Sequence, residues 1–119
     1  MARVGRFEDL IAWQRAVDLS EAVYRHTMKW PREEMFGLTN QVRRASTSIS
    51  SNIAEGQGRP GVQELRRFLR IAHGSLCEVQ SQLMVGQRLG FSTPADTRRI
   101  LDQTEELGRI IRGFINSLD

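Results

Sequence analysis

Residues 41–56 (QVRRASTSISSNIAEG) place two arginines and five hydroxyl side chains in one polar stretch. Serine and threonine compete with their own backbone for hydrogen bonds and form helices only moderately well, so their concentration here needs an explanation. Arginine and hydroxyl groups supply many protein contacts to nucleic-acid phosphates. At helical spacing, one polar face carries Arg43, Ser46, Thr47, Ser50 and Ser51. We interpret this face as a candidate phosphate-binding surface, with a solvated helix surface as the alternative.

A second group of arginines follows in the next predicted helix and the loop before it. Arg66 and Arg70 are about one helical turn apart, and Arg88 falls on the same side of the helix. The planar guanidinium suits phosphate recognition. The candidate nucleic-acid-binding residues are Arg43, Arg44, Arg59, Arg66, Arg67 and Arg70. Neutralisation by Glu64 and Glu78 is the alternative for the third helix, and a GC-rich gene would also explain the preference for arginine.

A line of polar side chains runs beside the apolar row of the second predicted helix. Small hydroxyl side chains would let a neighbouring helix approach closely, whereas a buried amide without partners would cost about 1–3 kcal/mol. We expect the third helix to supply those partners. The predicted structural polar seam comprises Gln41, Ser48, Asn52, Glu55, Ser75 and Glu78. The sequence leaves open whether Arg44 lies on the surface or bonds Glu78 within this seam.

Apolar residues recur at helical spacing in four segments, and no segment alternates in the manner of a strand. The predicted helices cover about 7–28, 38–55, 61–89 and 94–118 of a single domain spanning 1–119. Gly56 is expected to cap the second helix in the left-handed conformation. Thr93 and Pro94 fit the N-cap and the first position of the fourth helix. The predicted fold class is all-α, an antiparallel up-down four-helix bundle with short loops.

The first and fourth predicted helices spread apolar residues over about half a turn, wider than the ~100° stripe of an ordinary surface helix. In the fourth helix, Leu101, Ile110 and Ile115 widen the stripe. We therefore expect self-association to cover part of these faces, with a generous core as the alternative. Trp13 is expected in the core. Trp30 is expected to be partly exposed at one end of the bundle, in a role that the sequence leaves open.

The motifs that could support catalysis or cofactor binding are weak. Gly56, Gly58 and Gly61 match G-x-G-x-x-G, but the dinucleotide fingerprint needs a preceding strand, and here a helix precedes it. His73 and Cys77 lie four residues apart and could touch, but no third group is evident to orient them. Neither histidine has another at metal-ligand spacing. We therefore predict no enzyme activity, no cofactor and no metal.

The composition is that of an ordinary globular domain with a basic balance. The chain of 119 residues carries 17 Lys+Arg against 14 Asp+Glu, and every basic side chain except Lys29 is arginine. No apolar stretch has the length of a membrane span, and the first residues lack the apolar segment of a signal peptide. Cys77 is the only cysteine, which excludes an intramolecular disulfide. We expect a cytoplasmic protein with no membrane partner.

Five motifs occur together: WQRA at 13–16, FGL at 36–38, RRA at 43–45, SNIAEG at 51–56 and IAHGSLCE at 71–78. With them the chain resembles the four-helix bundle family of 23S rRNA intervening-sequence proteins. The resemblance implies a homo-oligomer, a cyclic pentamer with a central channel, and it brings no catalytic residues. A related branch, the accessory variability determinant of diversity-generating retroelements, is a basic pentamer that binds nucleic acid and a reverse transcriptase.

The residues and the resemblance together lead to two functional hypotheses. The first is a non-enzymatic, oligomeric accessory protein that binds the backbone of RNA or DNA through arginine-rich helix faces. The alternative is a structural or protein-interaction module that docks a protein such as a reverse transcriptase without touching nucleic acid. The sequence does not distinguish RNA from DNA.

Overall fold

The structure, a computed structural model, describes residues 5–118. Within that range it consists of helices and turns, with no strand, as an all-α fold requires. The four long helices are α1 (Ile11–Thr27), α2 (Leu38–Gly58), α3 (Val62–Arg88) and α4 (Pro94–Asn116), and short 3₁₀ helices at Phe7–Asp9 and Arg32–Glu34 precede α1 and α2. The prediction of an all-α protein with four helices is confirmed. None of the helices described is long and apolar enough to cross a lipid bilayer.

The long helices share one hydrophobic core. α1 and α3 each pack against both α2 and α4. Leu19, Ile49, Leu76 and Ile111, one from each long helix, are almost completely buried in this core. Burying a side chain of this size contributes about 1.5–3 kcal/mol. The hydrophobic effect therefore holds the helices together and fixes which faces of α2 and α3 meet water.

Gly56 lies inside α2 rather than at its end. The helix continues to Gly58, so the prediction that Gly56 is a left-handed cap is wrong. A Cβ atom at Gly56 would lie 2.7 Å from the Cβ of Phe68, so the missing side chain lets α3 approach closely. Gly61, the N-cap of α3, is the glycine of this connection with a positive φ, +87°, which glycine adopts readily because it has no Cβ. The connector between α2 and α3 is reduced to residues 59–61.

α4 begins as the sequence predicts, whereas α1 begins later. Thr93 is the N-cap of α4, and its Oγ1 accepts a hydrogen bond of 3.1 Å from the Asp96 N–H. Pro94 occupies the first helical position, where its missing N–H costs nothing. α1 begins at Ile11 rather than near residue 7, because residues 7–9 form a separate 3₁₀ turn.

The wide apolar face of α4 is covered in part within the chain. Leu101 is buried, whereas Ile110 and Ile115 pack against the core but are only partly buried. A partner is therefore not needed to cover Leu101, and self-association over the rest of this face stays a prediction. α1 does leave apolar side chains in water, among them Ile11 with 56% and Tyr24 with 44% exposure.

Trp30 is buried, contrary to the partial exposure expected from the sequence. The side chain lies in the connection between α1 and α2 and belongs to the core. Its ring covers Gly86 of α3, where a Cβ atom would lie only 2.5 Å from the ring carbon Cζ2. Trp13 packs against the core from a partly buried position, with its ring 5.2 Å from that of Phe7. The Trp30–Gly86 contact ties the α1–α2 connection to the C-terminal end of α3.

Candidate nucleic-acid interface

Three residues of the polar seam join α2 to α3. Ser48 Oγ and Ser75 Oγ form a hydrogen bond of 3.0 Å across the two helices. The Asn52 amide donates to the Ser48 carbonyl at 2.8 Å and to Ser48 Oγ at 3.0 Å. All three side chains are half-buried, so these bonds satisfy groups that would be costly to bury alone. Small hydroxyl groups in α2 therefore serve the contact between helices.

Gln82 extends the polar seam, although it is not among the seam residues predicted from the sequence. Its Nε2 lies 3.5 Å from Gln41 Oε1 and 3.4 Å from Glu78 Oε2, both at the long limit of hydrogen bonding. Gln82 follows Ser75 by seven residues, which places both on the same side of α3. That spacing was the signal that could have identified it.

Several hydroxyl groups on the predicted phosphate-binding face of α2 bond their own helix. Ser46 donates to the carbonyl of Arg43 at 2.8 Å, and Thr47 donates to the carbonyl of Arg44 at 3.1 Å. Ser50 donates to the carbonyl of Thr47 at 3.2 Å. Serine and threonine often satisfy their hydroxyl protons this way inside helices. A phosphate would have to break these bonds to gain a donor, so the arginines remain the better candidate contacts.

Arg59 and Arg67 both lie over the ring of Phe68, with their guanidinium carbons 5.3 Å and 4.5 Å from the ring centre. We call these three residues the arginine–aromatic cluster. Glu55, expected in the seam, instead accepts a hydrogen bond of 2.8 Å from Arg59 Nη2. Glu64 accepts one of 3.1 Å from Arg67 Nε, as the alternative of local neutralisation requires. This bond raises the pKa of Arg67 and lowers the pKa of Glu64, so both are charged at neutral pH.

Two of the six candidate arginines are used inside the fold. Arg43 Nε donates to Thr27 Oγ1 at 2.9 Å, and its guanidinium carbon lies 4.7 Å from the centre of the Tyr24 ring. Arg66 Nη2 donates to the backbone carbonyl of Leu118. Both arginines are half-buried. Arg43 thereby connects α2 to α1, and Arg66 connects α3 to the residues that follow α4.

Arg44 and Arg70 are the candidate arginines that meet water without such contacts. Both side chains are exposed, and neither has an ion pair with any residue between 5 and 118. The position of Arg44, left open by the sequence, is on the surface, and Glu78 is contacted by Gln82 instead. Arg44 and Arg70 therefore present uncompensated positive charge on α2 and α3.

His73 and Cys77 do meet on α3, and Arg112 of α4 contacts the same histidine. The Cys77 Sγ lies 3.9 Å from His73 Nδ1, and Arg112 Nη1 lies 3.1 Å from His73 Nε2. Arginine can only donate, so this contact favours the tautomer in which Nε2 accepts and Nδ1 carries the proton that faces the sulfur. His73 then has no free lone pair to take the thiol proton, as a catalytic base must. Arg112 is thus the third group that the sequence did not reveal, and in this tautomer it opposes activation of the Cys77 thiol as a nucleophile.

Comparison with known proteins identifies the family. Residues 8–113 match the family model described as 23S rRNA-intervening sequence protein. A crystal structure of a protein with unknown function from the S23 ribosomal protein family of Bacteroides thetaiotaomicron VPI-5482 shares the fold. It has a TM-score of 0.81 and 19% sequence identity, over 89% of this chain and 96% of that chain. No curated protein matches the sequence. Because the family match covers most of its length, the chain belongs to the 23S rRNA-intervening sequence protein family.

Proposed function

We propose that the protein is a non-enzymatic, cytoplasmic accessory protein that binds the backbone of RNA or DNA through the exposed arginines of α2 and α3. The observation that carries this proposal is the exposure of Arg44 and Arg70, neither of which is neutralised by a carboxylate within residues 5–118. Arg59 and Arg67 add two more exposed side chains. The formal net charge of +3 and the isoelectric point of about 10.0 favour a polyanionic partner.

The ion pairs of the arginine–aromatic cluster are compatible with this role. The side chains of Arg59 and Arg67 are 47% and 55% exposed while paired with Glu55 and Glu64. Exposed pairs of this kind contribute only about 0–1 kcal/mol and weaken with salt. A phosphate binds a guanidinium with two parallel hydrogen bonds and can replace a carboxylate there at little cost. Arg44 and Arg70 would bind first, since they need no such exchange.

We infer an up-down arrangement of neighbouring helices, supported by the hydrogen bonds between them. The supporting pairs are Gln41–Gln82 and Ser48–Ser75 between α2 and α3, and His73–Arg112 and Gln80–Thr104 between α3 and α4. In both sets the residue number rises on one helix as it falls on the other. Antiparallel neighbours joined by short loops give this pattern.

We further propose that the protein self-associates into the cyclic pentamer that the family resemblance implies. Its support is a set of exposed apolar side chains at the end of the molecule where Trp30 covers Gly86. Phe36 is 94% exposed there, and Leu89 is 60% exposed. We call Met28, Met35, Phe36, Val85 and Leu89 the apolar end. Contiguous exposed apolar surface marks interaction sites, and a ring would repeat the arginines so that several protomers contact one polyanion.

The apolar end also favours a second candidate function, the docking of a protein. Apolar side chains are buried effectively against another protein, whereas they gain nothing from phosphates. A reverse transcriptase is the protein partner that the resemblance implies. In this case the arginines of α2 and α3 would be solvated surface groups.

Fluorescence anisotropy with labelled single-stranded RNA and duplex DNA tests the first function. Binding through phosphates releases counterions, so the logarithm of the association constant should fall linearly with the logarithm of the salt concentration between about 50 and 200 mM. Absence of binding at the lowest salt concentration would reject nucleic-acid binding and leave protein docking as the better function.

A further inference from the structure

A cavity of about 500 Å³ lies between the C-terminal part of α1 and the first turns of α4. Its inner wall is apolar and includes Ala22, Phe91 and Ile100. Ile100 belongs to the core, and the other two are partly buried and pack against it, so this wall is continuous with the core. Cavities of about 300–1,000 Å³ with an apolar lining and a few converging polar groups are the usual sites for small ligands. None of the arginines proposed to bind nucleic acid lines this cavity.

The side of the cavity that faces water is basic. Arg25, Lys29 and Arg99 line it together with one carboxylate, that of Asp96. Arg25 donates to Glu21 at 2.7 Å and is therefore compensated. Arg99 only approaches Asp96 to 3.7 Å, with 81% of its side chain exposed, and Lys29 has no ion pair among the residues described. Lys29 and Arg99 thus leave positive charge available for an anion.

His26 supplies an unsatisfied polar atom in the same wall. It lines the cavity, and its Nε2 is buried without a hydrogen-bond partner among residues 5–118. A buried polar atom without a partner costs about 1–3 kcal/mol, so a side-chain movement that brings Nε2 to a ligand would recover this cost. Burial lowers the pKa of His26, so the ring is neutral at physiological pH and its Nε2 is suited to a neutral polar group rather than to the anion.

We propose that this cavity binds a small organic phosphate with a planar ring, of the nucleoside monophosphate class. The ring packs against Phe91 and Ile100, and a small rotation of the His26 side chain brings its Nε2 to one of the polar groups of the ligand. Lys29 and Arg99 bind the phosphate, and Arg99 exchanges its long contact with Asp96 for the phosphate. A free mononucleotide and the 5′-phosphorylated end of a strand present this same chemistry.

An NMR titration with adenosine 5′-monophosphate tests the proposal through the indole N–H of Trp30. The Trp30 ring centre lies 6.0 Å from that of His26 and 5.6 Å from that of Phe91, so its resonance responds to an occupied cavity. The chain has two tryptophans, and a Trp13→Phe variant assigns the signal. We expect a saturable shift with the nucleotide. Adenosine and inorganic phosphate, which each lack half of the contacts, should bind about tenfold more weakly or worse.

Charge reversals locate the site. Lys29→Glu and Arg99→Glu should each weaken binding of the nucleotide about tenfold or more, as loss of a charged hydrogen bond does. Arg109→Glu is the matched control, because Arg109 is exposed on α4 and does not line this cavity. No saturable shift at millimolar nucleotide, or an equal loss with Arg109→Glu, would overturn the proposal. Polynucleotide binding through Arg44 and Arg70 would be unaffected by either outcome.

Two trinucleotides, one with a 5′-phosphate and one with a 5′-hydroxyl, distinguish the sources of the ligand. Tighter binding of the phosphorylated trinucleotide supports recognition of strand ends. A shift with the free nucleotide and with neither trinucleotide supports a small-molecule site. Equal shifts with the two trinucleotides would contradict recognition of a terminal phosphate.

Discussion

Ser48 of α2 and Ser75 of α3 are joined by a hydrogen bond of 3.0 Å between their hydroxyl oxygens. This contact explains why α2 has a serine, only a moderate helix former, at position 48. Serine is small enough for close approach of the helices and polar enough to bond across the gap. Gly56, further along α2, serves the same approach, since a Cβ atom there would lie 2.7 Å from Phe68.

Replacement of Ser75 by alanine tests the seam. Ser75→Ala removes the cross-helix bond while Ser48 keeps its bond to Asn52, so we expect the free energy of unfolding to fall by about 0.5–1.5 kcal/mol. Ser81→Ala is the control, because Ser81 is exposed on the same helix and should change stability by less than about 0.5 kcal/mol. Urea unfolding measures both. Equal stability of the two variants would mean that the seam contributes nothing.

Two glycines of α3 should respond oppositely to alanine. At Gly86 the new methyl group would meet the Trp30 ring at 2.5 Å, so we expect a loss of about 1–3 kcal/mol from overpacking. At Gly74 nothing lies within 4 Å, so Gly74→Ala should raise stability by about 0.5–1 kcal/mol through helix propensity. Thermal or urea unfolding decides. A stable Gly86→Ala variant would contradict the burial of Trp30 against α3.

Local signals in the sequence predicted local structure well. Thr93 and Pro94 mark the start of α4 because an N-cap and a first helical position depend only on neighbours in the chain. Gly56 was misjudged because glycine suits both a helix end and a close contact between helices, and only the position of Phe68 distinguishes them. The burial of Trp30 was not predicted either, because it depends on a contact with Gly86, which is distant in the sequence.

For the candidate interface, too, the sequence predicted some positions on the helices but not the contacts made by long side chains. A helical wheel placed Arg70 on an outward face of α3, where the structure has it exposed, but it left the position of Arg44 open. It could not show that the long side chain of Arg66 reaches the carbonyl of Leu118, or that Arg43 reaches Thr27. The seam was foreseeable at Ser48 and Ser75 because both lie at the boundary of an apolar row.

His26 should make the stability of the protein depend on pH. Burial lowers the pKa of His26 below its ordinary value of 6.5. The charge of Asp96 raises this pKa in part, and the charge of Lys29 lowers it further. Arg25 and Arg99, which line the same cavity, are positive throughout this range. The unfolded chain then binds more protons than the folded one, so stability present above pH 6.5 falls as the pH drops below it.

Comparison with a His26→Gln variant isolates this effect. Urea unfolding at several pH values should show a smaller loss of stability below pH 6.5 for the variant than for the wild type. The same pH dependence in both proteins would assign the loss to other groups.

Self-association should depend on the apolar end. Phe36→Ser and Leu89→Ser remove two highly exposed groups of this surface, one on the α1–α2 connection and one directly after α3, so we expect sedimentation to show smaller species at the same concentration. Ile11→Ser is the control. Ile11 is apolar and 56% exposed, but it lies at the start of α1, whereas the connection that contains Trp30 follows the other end of that helix. A wild-type monomer at micromolar concentration would contradict self-association itself. An oligomer lost only with Ile11→Ser would assign the interface to the start of α1.

Salt-dependent binding by charge-reversal variants tests the proposed function most directly. Arg44→Glu combined with Arg70→Glu should weaken binding to an unphosphorylated RNA or DNA strand and make the salt slope shallower by about 1–2 for each protomer bound. The control is Lys29→Glu combined with Arg99→Glu. It changes the net charge by the same amount as the first double variant and should leave the salt slope unchanged. If both double variants bind with the wild-type slope, or if both lose binding equally, the arginines of α2 and α3 are not the nucleic-acid interface.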